Sequence, residues 1–267
     1  VILAGGMESM SQAPFIAQGT RWGRKLGHLE MTDVILQDGL IDAFHHYHMG
    51  VTAENVAQKY NISRRDQDLF ACQSQQKYQR AVSQSAFQDE IVPLPVASNT
   101  TSISKPRESG SREEVFDQDE HPRPDVTIES LSRLKPSFQQ NGTVTPGNAS
   151  GLNDGASMVL MMTEQQARTL GLEIMAYVKG YANVGLDPQY MGVGPLYAIQ
   201  SLLDQAKLNL NQIDLFELNE AFAAQSLAVI NELGVDPEKV NLNGGAIALG
   251  HPLAASGTRI TTTLLHL

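Results

Sequence analysis

Cysteine is almost absent from this chain: Cys72 stands alone among 267 residues. A single thiol excludes an intrachain disulfide framework and suits a reducing, cytoplasmic setting. Basic residues are also scarce, with 19 Lys and Arg against 29 Asp and Glu and a formal charge of −10 at neutral pH. That balance argues against general nucleic-acid binding, which favours a basic surface. An anionic small molecule can still be met by a few basic residues placed locally. Long apolar runs are missing too. Even residues 199–203 are broken by polar side chains, so no stretch approaches the length of a membrane span. The start shows no signal-peptide pattern, and Val1 falls inside what reads as a strand, so the natural beginning is expected to lie upstream. What remains is an ordinary globular balance, 42% hydrophobic and 18% charged, long enough for one or two domains.

The texture changes along the chain. Residues 1–4 read as a short buried strand ended by Gly5-Gly6. From residue 12 to about 142, charge and glutamine rise and β-branched runs thin out. Apolar positions predict helices over 32–44 and 52–60. Ser63 and Asp66 make a capping box that opens a helix over residues 64 to about 85. Pro93 and Pro95 confine residues 91–96 to an edge strand or extended segment, and 99–124 is a polar excursion. This region reads as an insertion between strands of a sheet. After Ser150, strands are expected at 157–162, 176–181, 213–218 and 240–242. Helices alternate with them: one capped by Thr163, one opened by Gly194-Pro195, and two over 221–233 and 252–265. Such alternation calls for an α/β fold with a mostly parallel sheet covered on both faces.

The chemistry gathers at residues 241–257. A glycine-rich turn follows a strand, and His251 stands directly before Pro252. Proline suits the first helical position and pushes its predecessor out of helical geometry, which places His251 at a helix mouth. The positive end of the helix dipole disfavours imidazolium, so the ring would be neutral and able to accept a proton near pH 7. Ala254, Ala255 and Gly257 would let that helix pack closely. Asn219 and Glu220 follow another strand, and open α/β sheets bind ligands beyond such strand ends, so one pocket can hold both Asn219 and His251. Taken alone, a single loop histidine is a weak signal, and Asn219 would serve equally as a helix N-cap. Asp42, His45 and His46 would share a helical face, but nothing supplies a second set of ligands and no metal is expected. Cys72 reads as a small packing residue in a glutamine-rich helix.

Three stretches, Gly147-Asn148-Ala149-Ser150-Gly151, Asn219-Glu220-Ala221-Phe222 and His251-Pro252-Leu253-Ala254-Ala255-Ser256-Gly257, together with residues 1–11 and 47–50, resemble the thiolase family in order and spacing. The resemblance covers essentially the whole chain and points to the family's acetyl-CoA acetyltransferase (acetoacetyl-CoA thiolase) branch. It implies two similar βαβαβ-type halves with an inserted loop domain, incomplete at both ends. Residues 1–11 and 151–171 would belong to the N-terminal half, 12–150 to the CoA-binding loop domain and 172–267 to the C-terminal half. By resemblance, His251 ionises a nucleophilic cysteine and Asn219 holds the water that completes an oxyanion hole. Gly147 and Ser150 would meet the pantetheine arm. Arg123, with Arg107 as a further candidate, would meet the nucleotide. Leu40, His48, Met49, Phe138, Met191, Ala221 and Phe222 would line the acyl and pantetheine tunnel, His48 and Met49 from a loop. The substrates implied are acetyl-CoA and acetoacetyl-CoA, with no permanently bound cofactor, no nucleic-acid or membrane partner, and a cytoplasmic homo-oligomer, dimer or tetramer. Both catalytic cysteines of the family fall outside the sequence, so the chain alone is expected to be inactive. Pro146 and Ala254 replace the usual alanine and glycine, and each is expected to disturb its neighbourhood. Two other readings are a 3-ketoacyl-CoA thiolase of fatty-acid degradation and a non-catalytic CoA-binding protein. A decarboxylating β-ketoacyl synthase would carry a second histidine in place of Asn219.

Overall fold

Two eight-residue segments pair antiparallel, β1 (Ile2–Ser9) and β6 (Asp154–Met161), with Ile2 opposite Met161 and Ser9 opposite Asp154. The computed structural model describes residues 1–96 and 114–267. Asp154 closes this ladder by accepting hydrogen bonds from Ser9 Oγ, Ser11 N and Ser11 Oγ, which hold its carboxyl below the usual range. Two short antiparallel ladders join β2 (Phe15–Ile16) to β3 (Thr32–Asp33) and β4 (Leu94–Val96) to β5 (Glu114–Phe116). Pro95 thus sits in a two-stranded edge, where a missing N–H is tolerated.

The helix expected over 32–44 is instead β3, a π-helical turn Ile35–Leu40 and a closed turn. Local side chains explain the break. Asp33 Oδ1 caps Ile35 N at 2.8 Å, and the Asp42 carboxylate takes the N–H groups of Phe44 (3.0 Å) and His45 (2.6 Å) that a continuing helix would have used. Helix α1 (Met49–Lys59) starts earlier than expected, because His48 Nδ1 accepts from Gly50 N at 2.9 Å and caps it. Helix α2 (Arg64–Ser83) carries the predicted Ser63–Asp66 capping box. The short α3 (Ile128–Ser132) and α4 (Glu164–Thr169) are capped by Thr127 and Thr163. Then follow α5 (Gly194–Ala206), α6 (Ala223–Leu233), α7 (Ala246–Leu249) and α8 (Ser256–Leu265).

Small residues let the helices meet closely. Ala53, Val56 and Ala57 of α1, Ala71 of α2 and Ala223, Ala224 and Ala228 of α6 are all buried. A second cluster, Leu196, Leu218, Val229, Ile230, Val235 and Val240, packs α5 and α6 against two extended segments. Those segments, 213–218 and 240–242, run parallel as expected. They bond only around Phe216 and Val240, where Phe216 N donates to Lys239 O and Asn241 N to Phe216 O, both at 2.9 Å. Residues 176–181 form no strand, and Val178 and Tyr181 are 75% and 79% exposed. Among the described residues the expected parallel sheet is therefore reduced to the Phe216–Val240 bridge: a strand needs a lateral partner for its N–H and C=O groups, and residues 176–181 have none there. Helix α8 crosses β1 and β6, with Ser157 Oγ and Thr262 Oγ1 2.9 Å apart. Only glycine fits at position 6, where a Cβ would stand 1.8 Å from Ala254 O.

Candidate active site

The site begins with an asparagine that imitates a strand. Asn241 is buried in the left-handed region (φ 47°), and its side-chain amide brackets Leu218: Leu218 N donates to Oδ1 at 2.8 Å and Nδ2 donates to Leu218 O at 2.9 Å. The segment ending in Asn219-Glu220 is thereby held without a full ladder. On the facing side, Gly250 (φ 103°) turns the chain where any Cβ would overlap the Asn153 amide, 2.4 Å away. Asn153 Oδ1 accepts from His251 N at 3.2 Å. These two devices bring Asn219 Nδ2 and His251 Nε2 to 3.2 Å.

The other ring nitrogen settles the tautomer. His251 Nδ1 lies 2.6 Å from Ser256 Oγ, whose hydroxyl donates to Pro252 O at 3.0 Å. A carbonyl can only accept, so the single Ser256 proton goes there and Ser256 accepts from Nδ1–H. Nε2 is left with its lone pair facing Asn219 Nδ2–H. Burial lowers the His251 pKa and the Arg259 guanidinium adds to it, so the ring is neutral as expected. The cause differs from the expectation: α8 opens only at Ser256, after a turn over residues 252–255, and burial with a nearby cation replaces the helix end. Asn219 Oδ1 is buried with no protein partner among the described residues.

The glycine loop lies directly alongside. Ser150 N and Oγ both donate to Ala221 O, at 3.0 and 3.1 Å, Ala223 N donates to Asn148 O at 2.9 Å, and Ala149 bridges to Phe222. Asn148 clamps the loop to α2 through Asp68 Oδ1 (2.9 Å), and Arg64 Nε holds the other oxygen of Asp68 at 2.8 Å. Pro146 does not disturb this loop. It is exposed and occupies the second position of a turn closed by Asn148 N to Thr145 O at 3.2 Å, where proline is favoured. Nor does the Ala254 methyl crowd His251. Residue 254 is exposed, and the close contact with Gly6 uses its carbonyl. Gly257 faces open space rather than a packed neighbour.

Aromatic rings wall one side. His48 stacks on Phe138 with centroids 4.6 Å apart, and Phe138 meets Phe222 edge-on at 6.2 Å. Gly50 makes room for Phe138, whose ring would lie 2.3 Å from a Cβ there. His48 and Met49 are the cap and first residue of α1, not a loop. Leu40 and Met49 are half-buried, and Gly39, beside Leu40, lies against Leu253. Met191 is exposed on the 3-10 turn Pro188–Val193, which packs on α1 and α6. Arg123 is exposed, its backbone N–H held by Gln75 Oε1 at 2.9 Å. His121, two residues earlier, packs on Gly151. Arg107 lies outside the described residues. Cys72 is buried in α2 with its thiol pKa raised by burial, and its Sγ lies 3.6 Å from Val126 O. A cavity of about 450 Å³ between α2 and α6 touches Glu220 but holds neither His251 nor Ser150.

The sequence put forward His251, Asn219 and the glycine loop as candidates, and the fold brings these three together. It gave no task to Ser256, Asn153, His121 or Glu220. A serine five residues after the histidine is a visible spacing, but only the fold shows that its hydroxyl meets Nδ1.

Separate segments of an α/β chain thus bring a histidine, an asparagine and a glycine loop into one neighbourhood. Comparison with known proteins names the family. The thiolase N-terminal domain family matches residues 1–165 and the thiolase C-terminal domain family residues 172–267, so the chain belongs to the thiolase family. An acetyl-CoA acetyltransferase of Pseudomonas aeruginosa is 52% identical over 266 residues, covering 100% of this chain and 65% of that protein. A probable acetyl-CoA acyltransferase of Staphylococcus aureus (strain COL) shows the same figures, so the chain spans 65% of the length of these relatives. The crystal structure of the Bacillus anthracis acetyl-CoA acetyltransferase superposes with a TM-score of 0.91 at 44% identity, over 99% of this chain and 64% of that one. Human mitochondrial 3-ketoacyl-CoA thiolase gives a TM-score of 0.90 at 43% identity, over 99% and 64%. The fold is thus the thiolase fold.

Proposed function

We propose that this chain serves acetyl-CoA C-acetyltransferase chemistry, the reversible condensation of two acetyl-CoA molecules to acetoacetyl-CoA and CoA through an acyl-cysteine. The observation that carries the reading is the unprotonated Nε2 of His251 facing Asn219, with the Ser150 loop bonded to Ala221, two residues after Asn219. An attacking thiol transfers its proton to Nε2, and the imidazolium keeps its Nδ1–H, which stays hydrogen-bonded to Ser256 Oγ. The Asn219 amide then offers a fixed dipole where an oxyanion develops, and its unpartnered buried Oδ1 suits a bound water. Gly147 and Ser150 present a close backbone surface to a pantetheine arm, and exposed Arg123 suits the nucleotide phosphates. His48, Phe138 and Phe222 wall the acyl path, with Leu40, Met49, Met191 and Ala221 around it.

No thiol of these 267 residues reaches His251: Cys72 is the single cysteine and is buried in α2. The reading therefore needs a thiolate from polypeptide outside them. It uses CoA thioesters as substrates without a permanently bound cofactor. It further proposes a CoA-binding loop domain over residues 12–150 inserted into the N-terminal thiolase half, between residues 1–11 and 151–171, with residues 172–267 as the C-terminal half, in a cytoplasmic homo-oligomer. The likeness to a human 3-ketoacyl-CoA thiolase supports a second reading, with longer acyl chains.

A full-length protein carrying this sequence should take up label from acetyl-CoA on a cysteine and cleave acetoacetyl-CoA with CoA. A series of 3-ketoacyl-CoA chain lengths separates the two readings. The 267 residues alone should do neither reaction, and cleavage by this short chain that survives Cys72→Ser would overturn the proposal.

A further inference from the structure

The Asn219-Glu220-Ala221-Phe222 run contains a carboxylate to which acyl transfer gives no task. Glu220 is 2% exposed. Its pKa is raised by burial, against which Asn241, Ser74, Ile247 N and Arg259 all pull. Oε1 accepts from Asn241 Nδ2 at 2.7 Å, and Oε2 from Ser74 Oγ at 2.7 Å and Ile247 N at 3.2 Å. Asn241 Nδ2 and Ile247 N can only donate, one on each oxygen, so the pocket is shaped for a group that accepts at both atoms. Ser74 Oγ accepts from Gly245 N at 3.1 Å, which leaves its own proton for Glu220. A Cβ on Gly245 would sit 2.3 Å from Oε1, so only glycine lets the carboxylate in.

These contacts join the two halves of the candidate site. Glu220 is the residue after Asn219. Ile247 lies in α7, a helix of four residues that ends at Gly250, the residue before His251. Asn241, meanwhile, holds Leu218, the residue before Asn219. One carboxylate therefore ties the segment of Asn219 to the short element that delivers His251.

We propose that Glu220 is a positioning residue: by accepting hydrogen bonds at both carboxyl oxygens it locks α7 to the Asn219 segment and so sets the approach of Asn219 Nδ2 to His251 Nε2. The geometric claim stands apart from the chemistry, and its catalytic meaning rests on the acyl-transfer reading. The test is ¹⁵N-histidine NMR of His251 in the intact protein. The wild type should show one tautomer, protonated on Nδ1. Glu220→Gln places an NH₂ group against Asn241 Nδ2 or against Ile247 N, and a second His251 tautomer should appear. The rate constant kcat should fall roughly 10²-fold, the loss expected from a displaced reacting group, with little change in KM. Ser74→Ala removes one donor and should move His251 the same way by less.

Glu54→Gln is the control. Glu54 is also a buried carboxylate with several donors, Thr143 N, Thr143 Oγ1 and Val144 N, but none of them belongs to the segments of His251 or Asn219. It should lower the melting temperature and leave the His251 tautomer alone. A folded Glu220→Gln protein with the wild-type tautomer would overturn the proposal, as would an equal response to Glu54→Gln. If Glu220→Gln does not fold, an unchanged tautomer in Ser74→Ala overturns it. NMR needs no substrate, so an inactive wild type with a shifted His251 in Glu220→Gln would refute the acyl-transfer reading and leave this one standing.

Discussion

The surroundings of His251 and the β1–β6 ladder share helix α8, yet they are finished in opposite ways. Around His251 several buried polar groups are matched with hydrogen-bond partners, while Asn219 Oδ1 is left without one among the described residues. Asn148, Glu220, Asn241 and Ser256 are each below 5% exposed and each is hydrogen-bonded. Along the ladder the apolar side chains face outward, Ile2 at 65%, Leu3 at 63% and Met158 at 60% exposure. The contrast separates two kinds of specification. A buried polar group without its partner costs about 1–3 kcal/mol, so matched groups fix a geometry sharply. Exposed apolar area fixes nothing by itself and marks a contact surface.

The largest stability effect should come from breaking the matched side. Asn241→Ala strands Leu218 N, Leu218 O and Glu220 Oε1 at once. With about 1–3 kcal/mol for each buried group left unsatisfied, chemical denaturation should show a loss of several kcal/mol. An effect below about 1 kcal/mol would mean that water replaces the amide freely.

A pH titration sharpens the comparison next. Burial pushes the Glu217 pKa from 4.5 up to about 8, opposed by Arg259, 3.6 Å away. The folded state therefore holds this proton more tightly than the unfolded chain. The resulting stability is fully present below pH 4.5 and is lost as pH rises through about 8. Melting temperature should decline over that window in the wild type and decline less in Glu217→Gln. Parallel profiles would refute the shift. The smallest effect should come from the ladder. Leu3→Lys, at a position already 63% exposed, should change stability by no more than about 0.5 kcal/mol while raising solubility. A large loss would show that the exposed face is covered in solution.

This division also explains what could be read from the sequence. Local signals survived intact: the Ser63–Asp66 capping box, the Thr163 cap and the start at Gly194-Pro195 are all present, because each depends on neighbours three or four residues away. Helix 32–44 failed for an equally local reason, the capture of Phe44 and His45 by Asp42. Of the parallel sheet only the Phe216–Val240 pairing is seen among the described residues, because strand propensity says nothing about whether a partner arrives, as residues 176–181 show. In the site, His251 and Asn219 were legible from motif spacing, but what holds them was not. Asn153 and Glu220 act through contacts 98 and 146 residues away in sequence, which no periodicity encodes, and the five-residue spacing of Ser256 from His251 does not by itself show that the two side chains meet.

The central claim is that Nε2 of His251, kept bare by Ser256 and faced by Asn219, is the base that ionises the acyl-accepting thiol. The most direct measurement is the rate of cysteine alkylation by iodoacetamide near neutral pH, paired with kcat for acetoacetyl-CoA cleavage, in the full-length protein and its His251→Ala variant. The account predicts slower alkylation and a loss of roughly 10²–10⁴ in kcat, the range for a positioned acid–base group. Unchanged alkylation with unchanged turnover in a folded variant would contradict it.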